Sequence, residues 1–223
     1  MGTLYLVRHA QASLGASDYD ELSARGQLQA QRLGAWWQAH GQRFDAVWSG
    51  TLRRHAQTLQ GLGVALHGLP AAQRFAALDE YDGAALVRAV HPGPLPAVQS
   101  PEGFRSYFRL LCDALAQWMA GTLSPEGMPD WQTFSAGVRA LLEQARAQHA
   151  GQRLLVVSSG GPISTAIAQV LGSAPEVGIA LNMRLRNTAV SELGVSARRL
   201  ALQTFNTLPH LSAPEDVALQ TYA

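Results

Sequence analysis

Short apolar runs of strand length alternate with amphipathic stretches of helix length along most of this chain. "LYLV" at 4–7 and "FDAVWSG" at 44–50 read as strands, as does the start of "RLLVVSSGGPISTAIAQVLG" at 153–172. Between and after them, "ARGQLQAQRLGAWWQAH", "LRRHAQTLQGLGVAL" and "ISTAIAQVLG" carry helical periodicity. Leu28, Leu33, Trp36 and Trp37 mark an apolar face on a helix from about Arg25 to His40, with Ser23 as its N-cap. Strands that alternate with helices require crossover connections, which are right-handed and produce a largely parallel sheet covered on both faces. The expected class is α/β, three-layer, with a mostly parallel sheet. "MRLRNTAVSELGV" and "RRLALQTFN" read as two late strands joined by a turn near Gly194 to Arg198.

The stretch 88–131 breaks this rhythm. "HPGPLPAVQSPEG" reads as loop, a helix follows from about Phe104 to Ala120, and "GTLSPEGMPD" is loop again. We read residues 1–223 as one domain and 88–131 as an inserted cap over the strand ends. At 223 residues one core suffices.

In such sheets ligands bind beyond the carboxyl ends of the strands. Arg8-His9, Ser49 onward, and Ser158-Ser159-Gly160-Gly161 all fall there. Each has an ordinary reading. Arg8-His9 could be a solvated strand end, and "LRRH" a solvated helix face. Basic residues in a first helical turn oppose the helix dipole, however, and a bound anion would relieve that. The two glycines expose backbone N–H groups at a helix start, with Pro162 suited to its first position.

The formal charge of +1 gives no footprint for nucleic acid or a membrane surface, so an anion site has to be local. The single cysteine, Cys112, lies in an amphipathic helical pattern and reads as a packed thiol. No leader segment and no apolar run of spanning length is visible, which makes the cytoplasm the expected location. No cluster of metal-ligand spacing is visible, and no metal or cofactor is expected.

Taken together, these segments resemble the histidine phosphatase superfamily, the phosphoglycerate mutase-like fold. "VRHAQAS" is similar to the family's Arg-His-Gly signature, with Ala10 in the glycine place. "ELSARGQLQAQRLG" resembles its helix start at Leu22, Ser23, Gly26, Gln29 and Ala30. "SGTLRRHAQT" places the family arginine at Arg54, "LDEYDG" places its proton donor at Glu80, and "NTAVSEL" and "FNTLPHL" resemble its last strands. The resemblance implies that His9 is a nucleophile forming a phosphohistidine, that Arg8 and Arg54 bind the phosphoryl oxygens, and that Glu80 is the general acid and base. It also implies further substrate contacts from Gln11, Ser13, Ser159 and Gly160.

One position departs from the pattern. The family usually has a second histidine where this chain has Ser159, and a hydroxyl brings no charge. His55 adjoins Arg54, but helix neighbours point about 100° apart, which argues against its filling that role. The sequence does not place His91 or His210. If the pocket has room, Ser159→His is expected to raise turnover. The leading expectation is a phosphomonoesterase acting on a small phosphorylated metabolite. Two alternatives stand beside it: a phosphoglycerate mutase, and a weakly catalytic phosphate-ligand binding protein. Substrate and oligomeric state are not legible.

Overall fold

The computed structural model describes residues 2–13, 19–94 and 100–222. Among the described residues the strands are β1 (Gly2–Arg8), β2 (Ala46–Ser49), β3 (Ala72–Arg74), β4 (Arg153–Ser158), β5 (Val190–Val195) and β6 (Leu200–Thr207). They form one sheet in the order β3-β2-β4-β1-β5-β6. The β1–β4, β2–β4 and β2–β3 pairs are parallel, while β5 runs antiparallel to both β1 and β6. The class is α/β, with a mostly parallel sheet between two helical layers.

Side chains of a strand point alternately to the two faces of the sheet. Leu4, Leu6, Trp48, Leu154 and Val156 therefore enter one core, and Val7, Val47, Leu155 and Val157 enter the other. Helices α1 (Ala24–Ala39) and α2 (Arg53–Gly63) close the second core with Leu33, Trp37 and Leu62. The first core is covered by α3 (Gly83–Val90), α4 (Pro101–Met119), α5 (Trp131–Gln148), α6 (Gly160–Leu171) and α7 (Val177–Asn182). Ser23 caps α1 as expected, its hydroxyl accepting the Gly26 N–H at 3.0 Å.

Several local readings change. Leu28 is 39% exposed, so the buried face of α1 is Gln29, Ala30, Leu33 and Trp37. Helix α6 begins at Gly160, which makes Pro162 its third residue rather than its first. The short edge strand β3 and the helices α3, α5 and α7 complete the layers without having been anticipated. Helix α4 starts at Pro101, three residues before the expected Phe104, because Ser100 accepts the Gly103 N–H at 3.0 Å and caps it.

Residues 95–99 of the proline-rich loop lie outside the described residues. The rest of the 88–131 stretch is anchored. Leu111, Ala114, Leu115 and Trp118 of α4 are buried in the same core as Leu4 and Leu6. Cys112 is half-buried on this helix, and burial raises its thiol pKa, which fits an inert packed thiol. No helix among the described residues is long and apolar enough to cross a membrane.

Because Trp118 is 1% exposed, truncating it should cost what a core aromatic costs. Urea unfolding of Trp118→Ala should show a loss of about 3–5 kcal/mol. A loss below about 1 kcal/mol, the range of an exposed side chain, would mean that α4 is a detachable cap.

Candidate active site

The parallel register sets the strand ends side by side: Arg8 pairs with Ser158, and Ser49 with Val157. The chain leaves β1 under tight backbone control. The His9 N–H donates to the Ser158 carbonyl at 2.8 Å, and Asn187 Nδ2 donates to the His9 carbonyl at 3.1 Å. The Thr188 N–H donates to the Arg8 carbonyl at 3.0 Å. Thr188 has φ 56°, a left-handed conformation costly for a β-branched residue, of order 1–3 kcal/mol. Its hydroxyl lies 2.7 Å from the Asn187 carbonyl and 2.9 Å from His210 Nε2. His210 is a buried structural partner, with its pKa driven by burial to about 3. Asn187 and Thr188 are the clamp that sequence reasoning noticed only as part of a late strand.

His9 is 2% exposed. Its Nδ1 lies 2.8 Å from the Ala10 carbonyl, which can only accept, so the proton sits on Nδ1 and the Nε2 lone pair is free. Burial lowers the His9 pKa well below the usual 6.5, and Arg54, Arg8 and His55 push the same way. The ring is therefore neutral near pH 7, as a nucleophilic imidazole has to be.

Arg8 and Arg54 flank it. Arg8 Nη1 donates to the carbonyls of Leu185 and, at 2.6 Å, of Tyr222. Arg54 Nη1 donates to Asp20 Oδ1 at 2.7 Å, and its carbon lies 5.3 Å from the Tyr19 ring centre. Each guanidinium also buries an Nε–H without a hydrogen-bond partner. Thr58 joins α2 to the loop carrying His9: its hydroxyl donates to the Arg54 carbonyl at 2.7 Å and accepts the Ala10 N–H at 3.0 Å. Asp20 also accepts the N–H of Arg53 at 2.7 Å and of Arg54 at 3.4 Å. The basic first turn of α2 is thus relieved by the protein's own carboxylate, where the sequence pointed to a bound anion. Nothing in the sequence near Asp20 marked it.

Glu80 follows a single 3₁₀ turn (Ala76–Leu78) that is tied to β4 by the Ser158 hydroxyl, which donates to the Leu78 carbonyl at 2.7 Å. Its carboxyl oxygens accept the Gly161 N–H at 2.9 and 3.2 Å. A Cβ at residue 161 would come within 2.2 Å of Glu80 Oε1, so glycine is required for this approach. The Gly161 N–H at the start of α6 is therefore taken by the Glu80 carboxyl. Burial raises the Glu80 pKa, against the opposing pull of Arg54, Arg8 and the Gly161 N–H.

The other anticipated contacts divide. Gln11 Oε1 accepts the Ser23 hydroxyl at 2.9 Å, and the Ser13 N–H donates to the Glu21 carbonyl at 2.8 Å, so both residues help fix the loop entering α1. Ser159 is fully buried, and its hydroxyl oxygen lies 2.8 Å from His55 Nε2. The rings of His55 and His9 are 5.7 Å apart. The expectation that His55 points away from the site is wrong. The 100° rule separates faces along a helix side, whereas this site lies off the end of α2, where consecutive first-turn residues can both border it. His91 lies at the end of α3, with Nε2 3.3 Å from the Pro94 carbonyl. A groove of about 530 Å³ between α5, the far end of α6 and the β5–β6 turn contains none of these residues.

A family model, the histidine phosphatase superfamily (branch 1), matches residues 4–87 and 99–208. Solved structures share the fold. YhfR from Bacillus stearothermophilus is 18% identical over 94% of this chain and 99% of its own, with a TM-score of 0.69. A mycobacterial glucosyl-3-phosphoglycerate phosphatase is 20% identical over 92% of this chain and 98% of its own, with a TM-score of 0.62. A phosphoglycerate mutase from Bacillus anthracis is 20% identical over 93% of this chain and 94% of its own, with a TM-score of 0.63. No curated protein matches the sequence.

Two outcomes follow from the geometry. Imidazole ¹⁵N shifts should show His9 as the neutral Nδ1–H tautomer at pH 6; protonation near pH 6.5 would contradict its buried setting. Ser159→His, alone, should fail to raise turnover, because the imidazole of His55 already occupies the space beside residue 159. Overpacking should instead cost about 1–3 kcal/mol in thermal or urea unfolding.

Proposed function

Because the chain belongs to the histidine phosphatase superfamily, we propose that it hydrolyses phosphomonoesters of small metabolites through a phosphohistidine on His9. The observation that carries this is the pair of buried, unpartnered Nε–H groups of Arg8 and Arg54 beside a neutral His9 whose Nε2 is free. Buried donors need acceptors, and a phosphoryl group offers three oxygens to two fixed cations.

His9 Nε2 attacks phosphorus, and the bond to the ester oxygen breaks in line. Arg8 and Arg54 hold the transferring oxygens, and their charge stabilises the transition state. Glu80, kept protonated to higher pH by burial, gives its proton to the leaving alkoxide. Water then attacks the phosphohistidine, Glu80 takes a proton from it, and His9 leaves as inorganic phosphate forms. Asp20 must yield part of its hold on Arg54 as the dianion arrives, which makes the segment around Tyr19 and Asp20 part of the entry.

The 88–131 stretch supplies the rim rather than the chemistry. Tyr107 on the first half of α4 has Tyr19, Asp82 and Arg88 among its electrostatic neighbours, and burial raises its phenol pKa. These side chains set substrate choice in this reading.

Acid-quenched reaction with a ³²P-labelled phosphomonoester should trap label on His9, and His9→Ala should abolish it. Chelator should leave turnover intact. Glu80→Gln should slow phosphorylation of His9 by an alkyl phosphate by about 10²–10⁴-fold while affecting phosphorylation by a nitrophenyl phosphate much less, since its leaving group needs no proton. The wild-type rate of His9 phosphorylation by the alkyl phosphate should fall as pH rises through the raised Glu80 pKa, and Glu80→Gln should remove that limb. Binding of phosphate without turnover would favour the binding-protein reading. Isomerisation of 3-phosphoglycerate without net hydrolysis would favour a mutase.

A further inference from the structure

His55 and Ser159 are both completely buried, one in the first turn of α2 and the other capping position of α6. A buried imidazole and a buried hydroxyl are costly unless they satisfy each other. They do so across 2.8 Å, 104 residues apart in sequence. Behind the imidazole, His55 Nδ1 lies 3.5 Å from Asp79 Oδ1, in ion-pair range but longer than a formed hydrogen bond. Asp79 is itself fixed: it accepts the Thr51 N–H at 2.6 Å, the Thr51 hydroxyl, and the Leu52 N–H at 3.3 Å. Gly50 makes the arrangement possible, since a Cβ there would stand 2.2 Å from His55 Nδ1 and 2.4 Å from Asp79 Oδ1. Carboxylate, imidazole and hydroxyl are thus aligned, and the hydroxyl end adjoins the strand end that carries His9.

We infer that His55 and Ser159 act as one unit that presents an oriented hydroxyl to the phosphoryl group on its way to His9, with Asp79 holding the imidazole from behind. The inference rests on the reading of His9 as the nucleophile. Ser159 touches the substrate, and His55 is a positioning residue that acts through it.

The direction of one hydrogen bond decides what the unit does. With its proton on Nδ1, toward Asp79, neutral His55 accepts the Ser159 hydroxyl and turns that donor away from the pocket. A second proton, on Nε2, reverses the bond. Nε2–H then donates to the serine oxygen, and the Ser159 O–H is released to a phosphoryl oxygen. The groups facing His55 fit such a switch. Burial, the largest influence, leaves its pKa below the usual value, with Arg54 pushing the same way and Asp79 and Asp20 opposing, so the ring is held neutral until an anion arrives. His9 stands 5.7 Å away and is neutral. A phosphoryl dianion arriving beside the two rings adds negative charge, which favours the imidazolium. The positive charge that a serine cannot supply reaches the anion through its hydroxyl.

A double-mutant cycle separates the roles. Single-turnover phosphorylation of His9 by nitrophenyl phosphate is measured in the wild type, His55→Gln, Ser159→Ala and the double variant, at several pH values. Each single change should slow phosphorylation about 10- to 100-fold, the range of a lost charge-assisted hydrogen bond. The double variant should be no slower than the worse single, because His55 acts only through Ser159. The losses should fall on kcat rather than KM. Asp79→Asn leaves both members of the unit in place; it should move the pH dependence of phosphorylation to lower pH and leave thermal stability within a few degrees. Independent, multiplying losses, or singles that phosphorylate at the wild-type rate, would overturn the unit. Should His55→Gln not fold, an unshifted pH profile in Asp79→Asn would overturn it equally. If the wild type takes up no phosphoryl group on His9, the reading of the nucleophile fails first; additive losses in a protein that labels normally remove only the His55–Ser159 unit.

Discussion

Burying two guanidinium groups beside one imidazole is the constraint around which the rest of this fold is arranged. Taking such charges out of water costs several kcal/mol each unless they are hydrogen-bonded and paired. The chain answers with groups drawn from distant segments: the Leu185 and Tyr222 carbonyls for Arg8, Asp20 for Arg54, and the Glu80 carboxyl between α6 and both arginines. None of these satisfies the two Nε–H groups. The same positive field, together with burial, keeps His9 unprotonated. Cation burial and a neutral His9 imidazole are one physical arrangement, not two.

Glu80 completes the balance in the opposite sense. Burial favours its protonated form, while the arginines and the Gly161 N–H favour the carboxylate. A group held between such opposing influences can change protonation within a catalytic cycle, which is what donating and then accepting a proton requires. Its position depends on the sheet: Ser158 at the end of β4 fixes Leu78, and Gly161 at the start of α6 fixes the carboxyl. A loop glutamate thereby gains the precision of a strand end.

Much of this was legible in the sequence, and for identifiable reasons. Parallel strands buried on both faces read as unbroken apolar runs, so "LYLV" and "RLLVVS" declared both the class and the site edge. Ser23 and the α1 helix were visible through local capping chemistry. Long-range pairings were not. Nothing around Asp20 announces Arg54, 34 residues away, and nothing around Asn187 announces the His9 carbonyl. The glycines at 160–161 were read as anion binders, and the sequence did not show that the Gly161 N–H is met by the Glu80 carboxyl. His55 was set aside by a rule that holds along a helix and fails at its end. Helix α4 looked like an insertion because its loops break the pattern, yet its apolar face is core.

Arg8, Arg54 and His9 are proposed to form one oxyanion site. A crystal structure of the protein with tungstate tests it most directly. The oxyanion should lie within hydrogen-bond distance of Nε of both Arg8 and Arg54, with the metal centre facing His9 Nε2 and Asp20 displaced from its contact with Arg54. An oxyanion bound instead in the groove of Arg139, Arg146 and Arg198, with Arg54 still paired to Asp20 and His9 untouched, would contradict it.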